Sequence, residues 1–226
     1  MFKIETHLHT AESSPCAQID AAQMVRFYHK AGYKTVIVTD HFMQKYLDEY
    51  DSNSWKNAVD RFFLGYRNAK TEGDKLGVNV IIGVECHFEK FEGDYLLYGI
   101  TPEIIYNFPN ICQSTEEEFF PYMRENGVLV VQAHPYREGY GRTDPRNVDG
   151  YEAYNSNPRH KNFNEKAVAT AKEYNLYVTA GSDAHRDNDY ALSGMISDYE
   201  IKTSEEFVEL VKSGKGRLIR DDISAE

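Results

Sequence analysis

The chain has 226 residues, 41% of them hydrophobic, which suits one domain around a substantial core and excludes a disordered chain. Its formal net charge of −11, from 25 basic and 36 acidic residues, repels a nucleic-acid backbone and favours no anionic membrane. No apolar run approaches the roughly 20 residues of a membrane span, the opening MFKIETHLHT turns polar too early for a signal peptide, and three cysteines without a CxxC pair fit a reducing cytoplasm.

Short β-type runs alternate with helix-type runs along the chain. Residues 2–6 alternate apolar and polar, as a strand does, and end at His7. Residues 21–31 carry apolar side chains at helical spacing and stop at Gly32. The β-branched run 34–39 has no polar alternation and reads as a buried parallel strand. One long helix is expected over 55–76, with Gly77 as its stop, followed by strands at 78–84 and 95–100. A helix at 116–125, strands at 128–132, 150–154 and 176–180, and helices at 164–174 and 204–212 complete the pattern. Such alternation argues a parallel α/β sheet, open or closed, with residues 1–226 as one domain.

The chemistry-bearing residues fall at the ends of these strands. His7 and His9 lie two apart on an extended segment, so both imidazoles face one side and can hold a single metal ion. His41 follows Asp40 after the apolar run 36–38, Glu85 ends VIIGVE, and His134 ends VLVVQAH. Asp183 and His185 repeat the two-apart device after LYVTAGS. Each has an ordinary reading alone, such as a helix cap for Asp40 or Asp183 and a hydrogen-bonded structural histidine for His134. Jointly, five strand ends deliver five histidines and two carboxylates, all good ligands for zinc, manganese or iron. In parallel α/β folds the carboxyl ends of strands are where sites are built. Seven ligands exceed one tetrahedral site, so two or three divalent transition metals are expected, with Glu85 or Asp183 bridging.

HLHT, TDH, GVE, AHP and GSDAH, in this order, resemble the motifs of the PHP (polymerase and histidinol phosphatase) family, from His7 to His185. The resemblance implies a distorted (β/α)7 barrel holding up to three metals, usually zinc, manganese or iron. It implies hydrolysis of phosphoesters, or a nuclease or proofreading role beside a polymerase. His7, His9, His41, Glu85, His134, Asp183 and His185 match the family's metal ligands. Many members carry an Asp or His a few residues past HxHT; here Glu12 is the expected replacement, with the Cys16 thiolate as the alternative. The family histidine that often follows the glutamate strand is represented by His87 or Asp94.

Asp40, beside His41, is expected to orient a ligating histidine. Arg137 and Arg159 are expected to anchor the anion of a small phosphorylated substrate, because a guanidinium fork donates two parallel bonds to phosphate. Loop residue His160 is a further contact candidate, whereas His29 lies within the first helix and takes no role. The favoured activity is hydrolysis of a phosphomonoester or short phosphodiester by a metal-activated hydroxide. The alternatives are a metal-dependent amidohydrolase, against which stands the lack of a lysine at a strand end, and a non-catalytic PHP regulatory module.

Overall fold

The structure, a computed structural model, describes residues 1–51 and 53–220. Its elements in chain order are β1 (Phe2–Leu8), α1 (Ala21–Lys30), β2 (Tyr33–Val38), β3 (His41–Phe42), α2 (Gln44–Asp51), α3 (Trp55–Phe62), α4 (Leu64–Leu76) and β4 (Asn79–His87). There follow β5 (Asp94–Tyr98), α5 (Pro102–Tyr106), α6 (Glu116–Glu125), β6 (Leu129–Gln132), β7 (Gly150–Asn155) and α7 (Asn164–Tyr174). The chain ends with β8 (Tyr177–Gly181), β9 (Gly194–Ser197), α8 (Ser204–Lys212) and β10 (Arg217–Ile219). None of the described helices is long and apolar enough to cross a membrane.

The strands run in the order β1-β2-β4-β5-β6-β7-β8, and β8 returns towards β1. The seam is closed by a parallel bridge between Leu8 and Ala184, by His9 N donating to Ala184 O at 2.9 Å, and by the Thr6 hydroxyl donating to Ala180 O at 2.8 Å. The result is a nearly closed, distorted (β/α) barrel. Its distortion has two sources: β5 runs antiparallel to both neighbours, and β9, itself paired antiparallel with β10 across α8, pairs antiparallel with the first residues of β1.

Both faces of the sheet are buried, which explains the unbroken apolar runs. In β2, Val36 and Val38 pack outward with Met24 and Tyr28 of α1 and Ala69 of α4. Ile37 points inward to Ile4, Ile81, Leu96 and Tyr98. Phe207 and Leu210 of α8 join that inner cluster, the Phe207 ring lying 4.8 Å from Tyr98. α8 therefore stops the amino end of the parallel strands, and burying Phe207 there contributes about 1.5–3 kcal/mol. The opposite end stays available for polar groups.

The helix expected over 55–76 is broken at Phe63, and the cause lies outside its own pattern. The Ser13 hydroxyl donates to Phe62 O at 2.5 Å and accepts from Gly65 N at 3.0 Å, so a side chain interrupts the helical ladder. Gly65 is required there, because a Cβ would stand 2.0 Å from Thr10 Oγ1 and 2.7 Å from Asp40 Oδ2. The break thus lets α4 approach the loop that carries Thr10 to Cys16.

Candidate metal centre

The polar groups gather at the carboxyl rim of the barrel. His7 and His9, on one face of β1 and its extension, bring their Nε2 atoms to 3.1 Å. β3 places His41 in register with Glu85 of β4, with Nδ1 2.6 Å from Glu85 Oε2. His134 and Asp183 follow β6 and β8 with φ of 29° and 52°, a left-handed backbone that side chains rarely adopt. That turn aims both side chains back over the barrel. Asp94 opens β5; because β5 is antiparallel, its first residue reaches the same rim as the last residues of its neighbours.

Among the described residues, three overlapping groups can each hold an ion: His9 with His41 and His185, His7 with His9 and Glu85, and Glu85 with Asp94 and His134. Glu85 and His9 are shared, so a chain of two or three ions with bridging ligands fits the arrangement. In a tetrahedral site with metal–nitrogen bonds of about 2.0–2.1 Å, ligand atoms lie roughly 3.3 Å apart. The facing Nε2 atoms of His41 and His185 are 3.4 Å apart. Glu85 Oε2 and Asp183 Oδ1 are buried and, among the described residues, accept no hydrogen bond. Glu85 Oε2 lies against His41 and His9, and Asp183 Oδ1 against His7, His9 and His185, so these buried carboxylates face imidazole nitrogens and call for cations.

The outer hydrogen bonds decide which nitrogen each imidazole presents. A carboxylate only accepts, so His7 Nδ1–H donates to Glu152 Oε1 at 2.9 Å and leaves Nε2 facing the cluster. The Ser14 hydroxyl donates to Asp40 Oδ1 at 2.7 Å, which makes it the acceptor for His9 Nδ1–H at 3.3 Å and His41 N–H at 2.9 Å. His185 Nδ1–H donates to Asp183 O at 2.9 Å. Asp40 also accepts from Thr10 N and Thr10 Oγ1, both at 2.7 Å. It therefore acts on His9 through Ser14 and also fixes the Thr10 turn.

The titration directions follow from crowding of charge. Burial works against a charged His7, yet Glu152, Asp183 and Glu85 hold it well above the usual histidine range. Burial opposes ionisation of Glu85 as well, but His7 and His41 draw it well below the usual carboxylate range. Asp183 behaves alike: burial is outweighed by His7 and Arg137. Burial, with His185 and His41 beside it, drives His9 well below its ordinary value. Burial pushes Asp40 up to about 6 against its hydrogen bonds from Thr10 and Ser14. The cluster needs positive charge, which protons or metal ions can provide.

The structure brings together His7, His9, His41, Glu85, His134, Asp183 and His185, and adds Asp94. It does not bring Glu12. That carboxylate turns away, accepting from Ala21 N at 2.9 Å and Asn68 Nδ2 at 3.0 Å, because α1 begins with unsatisfied N–H groups that attract an anion. Cys16 is exposed near the rim, where His185 and His41 outweigh burial and bring its thiol down to about 6. His87 is half-exposed and bonds Asp94 Oδ1 at 2.7 Å, so it supports Asp94 from outside.

Neither arginine is placed as a free anion anchor. Arg137 is buried; one terminal nitrogen donates to Asp183 Oδ2 at 2.5 Å and to Asn155 Oδ1 at 3.2 Å, while Nε donates to Asn162 Oδ1 at 2.9 Å. Arg159 donates from Nε and a terminal nitrogen to Asp189 Oδ2 at 3.2 and 3.1 Å. Asp189 in turn accepts from His185 N at 3.0 Å and Arg186 N at 2.6 Å, so Arg159 braces the loop carrying His185. Both are positioning residues, each held by a carboxylate tied to the cluster. His160 is exposed, its imidazole lowered by partial burial and by Arg137. His29 is exposed on α1.

Two buried carboxylates escaped the sequence reading. Glu152 accepts from His7 Nδ1 and His134 N, each at 2.9 Å, and so ties two cluster histidines to β7. Glu5 accepts from Thr6 N, His7 N and Ser182 N at 2.8–3.0 Å and from the Tyr28 hydroxyl at 2.7 Å. Burial pushes Glu5 up to about 7 against those bonds. The period-two pattern of Glu5, His7 and His9 was the available signal: one face of β1 carries polar groups while the strand is otherwise buried.

The fold and its rim define a class of distorted (β/α) barrels with an inward cluster of imidazoles and carboxylates able to hold metal ions. The chain belongs to the PHP family: the PHP domain matches residues 5–216. No curated protein matches it. Among solved structures it is similar to a two-domain protein from Bacteroides vulgatus containing a predicted PHP-like metal-dependent phosphoesterase, at 14% identity and a TM-score of 0.70. That match covers 97% of this chain, which spans only 64% of the two-domain protein. PsfC from Pseudomonas syringae is 17% identical with a TM-score of 0.67, covering 97% of this chain and 91% of that one. An amidohydrolase from Chromobacterium violaceum with bound sulfate and no metal is 12% identical with a TM-score of 0.62, covering 96% and 98%. At these identities the likeness is one of fold.

Proposed function

We propose that the chain hydrolyses a phosphoester of a small molecule, a phosphomonoester or short phosphodiester, with two or three zinc, manganese or iron ions. The ligands are His7, His9, His41, Glu85, Asp94, His134, Asp183 and His185. One observation carries this reading: among the described residues three ligand groups are linked through His9 and Glu85, with Glu85 Oε2 and Asp183 Oδ1 buried against imidazole nitrogens alone. Divalent ions, when bound, lower the pKa of water and neutralise charge on phosphoryl oxygens.

The chain's own residues supply position. Glu152 fixes the tautomer of His7 and the backbone of His134, and Ser14 with Asp40 fixes that of His9. Arg137 holds one oxygen of Asp183 so that the other faces His7 and His9, at 3.6 and 3.4 Å. With Arg137 and Arg159 engaged by Asp183 and Asp189, the charge of a bound phosphate falls to the ions. The acidic surface disfavours a long nucleic acid. Three free cysteines support a cytoplasmic location.

Elemental analysis of the purified protein, followed by assay against phosphomonoesters and phosphodiesters, tests the proposal. At least two transition-metal equivalents per chain and hydrolysis abolished by chelation are expected. Full activity of metal-free protein would sink it. A second reading, amide hydrolysis, is favoured by the likeness to the Chromobacterium violaceum protein. Turnover of cyclic or N-acyl amides with no phosphoester turnover would select it.

A further inference from the structure

We infer that the alcohol side of the substrate carries a planar aromatic ring, which stacks on Tyr140 in the cavity beside His134. The inference rests on the phosphoester reading above and names the class of ester that the site selects. A cavity of about 530 Å3 opens between residues 87–93, which lead from β4 to β5, and residues 139–141. That volume lies within the roughly 300–1,000 Å3 of small-ligand pockets. It adjoins the Glu85–Asp94–His134 corner of the cluster. His87, in its wall, bonds Asp94 Oδ1 at 2.7 Å; Gly93 immediately precedes Asp94; and the Tyr140 ring stands 5.3 Å from the His134 ring. A phosphate bound at that corner has this cavity as the space beside it for its ester group.

Two aromatic rings border the cavity, one from each segment. Tyr140 is held in place from within the protein. Its N–H donates to Arg137 O at 3.1 Å, the Arg137 guanidinium lies over the ring at 5.6 Å, and His134 meets it at 77°. The residue is nonetheless 49% exposed, so ring surface remains for a partner in the cavity it lines. From the other segment, half-buried Phe91 stacks on buried Phe88 with centroids 4.1 Å apart. Elsewhere the wall is bare backbone. A Cβ on Gly141 would stand 1.8 Å from Glu92 Oε2, so glycine is what lets the two segments meet, and the Cβ position of Gly139 has nothing within 4 Å. Fixed aromatic rings and open backbone suit a flat apolar group, with little ordering left to be done on binding. Glu89 and Glu92 against Lys90 leave no surplus of positive charge at this mouth, so the ring bears no second phosphate.

The test uses the full chain as purified, with 2-naphthyl phosphate and glycerol 2-phosphate as paired substrates. The ratio of their kcat/KM values should fall at least about tenfold in Tyr140→Ala, chiefly through KM for the naphthyl ester. In Tyr140→Phe, which keeps the ring, the ratio should stay within about threefold of wild type. A loss shared equally by both substrates would overturn the inference, because it marks a structural role for Tyr140. Binding of 2-naphthol, which has no phosphate and undergoes no turnover, is followed separately by fluorescence anisotropy. Saturable binding that weakens at least about tenfold in Tyr140→Ala is expected. No saturable binding, or binding unchanged in that variant, would overturn the ring site and leave phosphoester hydrolysis standing. Tyr140-dependent binding of 2-naphthol by a chain that hydrolyses no phosphoester would overturn the reading of the reaction and uphold the ring site.

Discussion

The two ends of the cluster are held in different ways. At the β1–β8 end, His7 and His9 are fully buried, and the Nδ1 of each is tied to a group with a second anchor: Glu152, or Ser14 backed by Asp40. At the β4–β5–β6 end, Asp94 is supported by the half-exposed His87, and the Tyr140 ring stands 5.3 Å from His134 at 49% exposure. A cavity of about 530 Å3 opens there, lined by His87, Lys90, Phe91, Gly93, Tyr140 and others. The closed end is organised before any ligand arrives, and the open end is where a substrate has room. Metal affinity should therefore be set mainly by the closed end.

Removing Asp183, which belongs to the closed end, should do the most damage. Asp183→Ala deletes an oxygen facing His7 and His9 and leaves the Arg137 cation buried without its partner. Loss of at least one metal equivalent and a fall in turnover of at least about a hundredfold are expected, since even outer-partner changes cost 10–100-fold. Elemental analysis beside single-substrate kinetics checks this; normal metal content would contradict it.

Next in size is the contrast between the ends themselves. Glu152→Gln puts a donor against either His7 Nδ1–H or His134 N–H, where the carboxylate accepted from both. Metal affinity should weaken by about 10–100-fold in chelator competition. His87→Ala, at the open end, should weaken it by no more than about threefold, because exposed partners contribute little. Equal effects from the two variants would erase the distinction between the ends.

How much of this was legible in the sequence follows from strand polarity. Parallel strands finish at the functional rim, so His134 and Asp183 announced themselves as polar residues closing apolar runs, and His7 as the end of an alternating strand. Asp94 was visible only as an alternative, because β5 is antiparallel and meets the rim with its first residue. Glu5 and Glu152 sit inside strands, where an acid reads as an outward-facing residue until the second buried face is known. β9, β10 and α2 carry too few residues to fix a period. The break at Phe63 depends on Ser13, about fifty positions away, and no local pattern could report it.

Arg137 gives a smaller effect that separates a positioning role from an anchor. Its fork is divided among Asp183, Asn155 and Asn162, and lysine can satisfy Asp183 but not all three. Arg137→Lys should lower metal affinity about three- to tenfold, with kcat/KM falling in proportion and recovering at saturating metal. A loss of kcat/KM with metal affinity intact would return Arg137 to the role of phosphate anchor.

The smallest effect belongs to Glu12, and its value lies in where the effect appears. The carboxylate accepts from the Ala21 N–H at the first turn of α1 and from Asn68 on α4, so it joins two helices rather than holding an ion. Glu12→Ala removes one acceptor from a helix start, a change worth about 0.5–2 kcal/mol of stability. Asp20 still caps Gln23 N at 2.8 Å, which favours the lower half of that range. Metal stoichiometry and kcat should stay at wild-type values while the urea midpoint falls. Because Glu12 is three residues from His9 and four from Cys16, a lost metal equivalent with stability unchanged would move it from the helix start into the cluster. That outcome would require a conformation of residues 10–16 other than the one described, in which Ser14 could no longer hold His9 and His41.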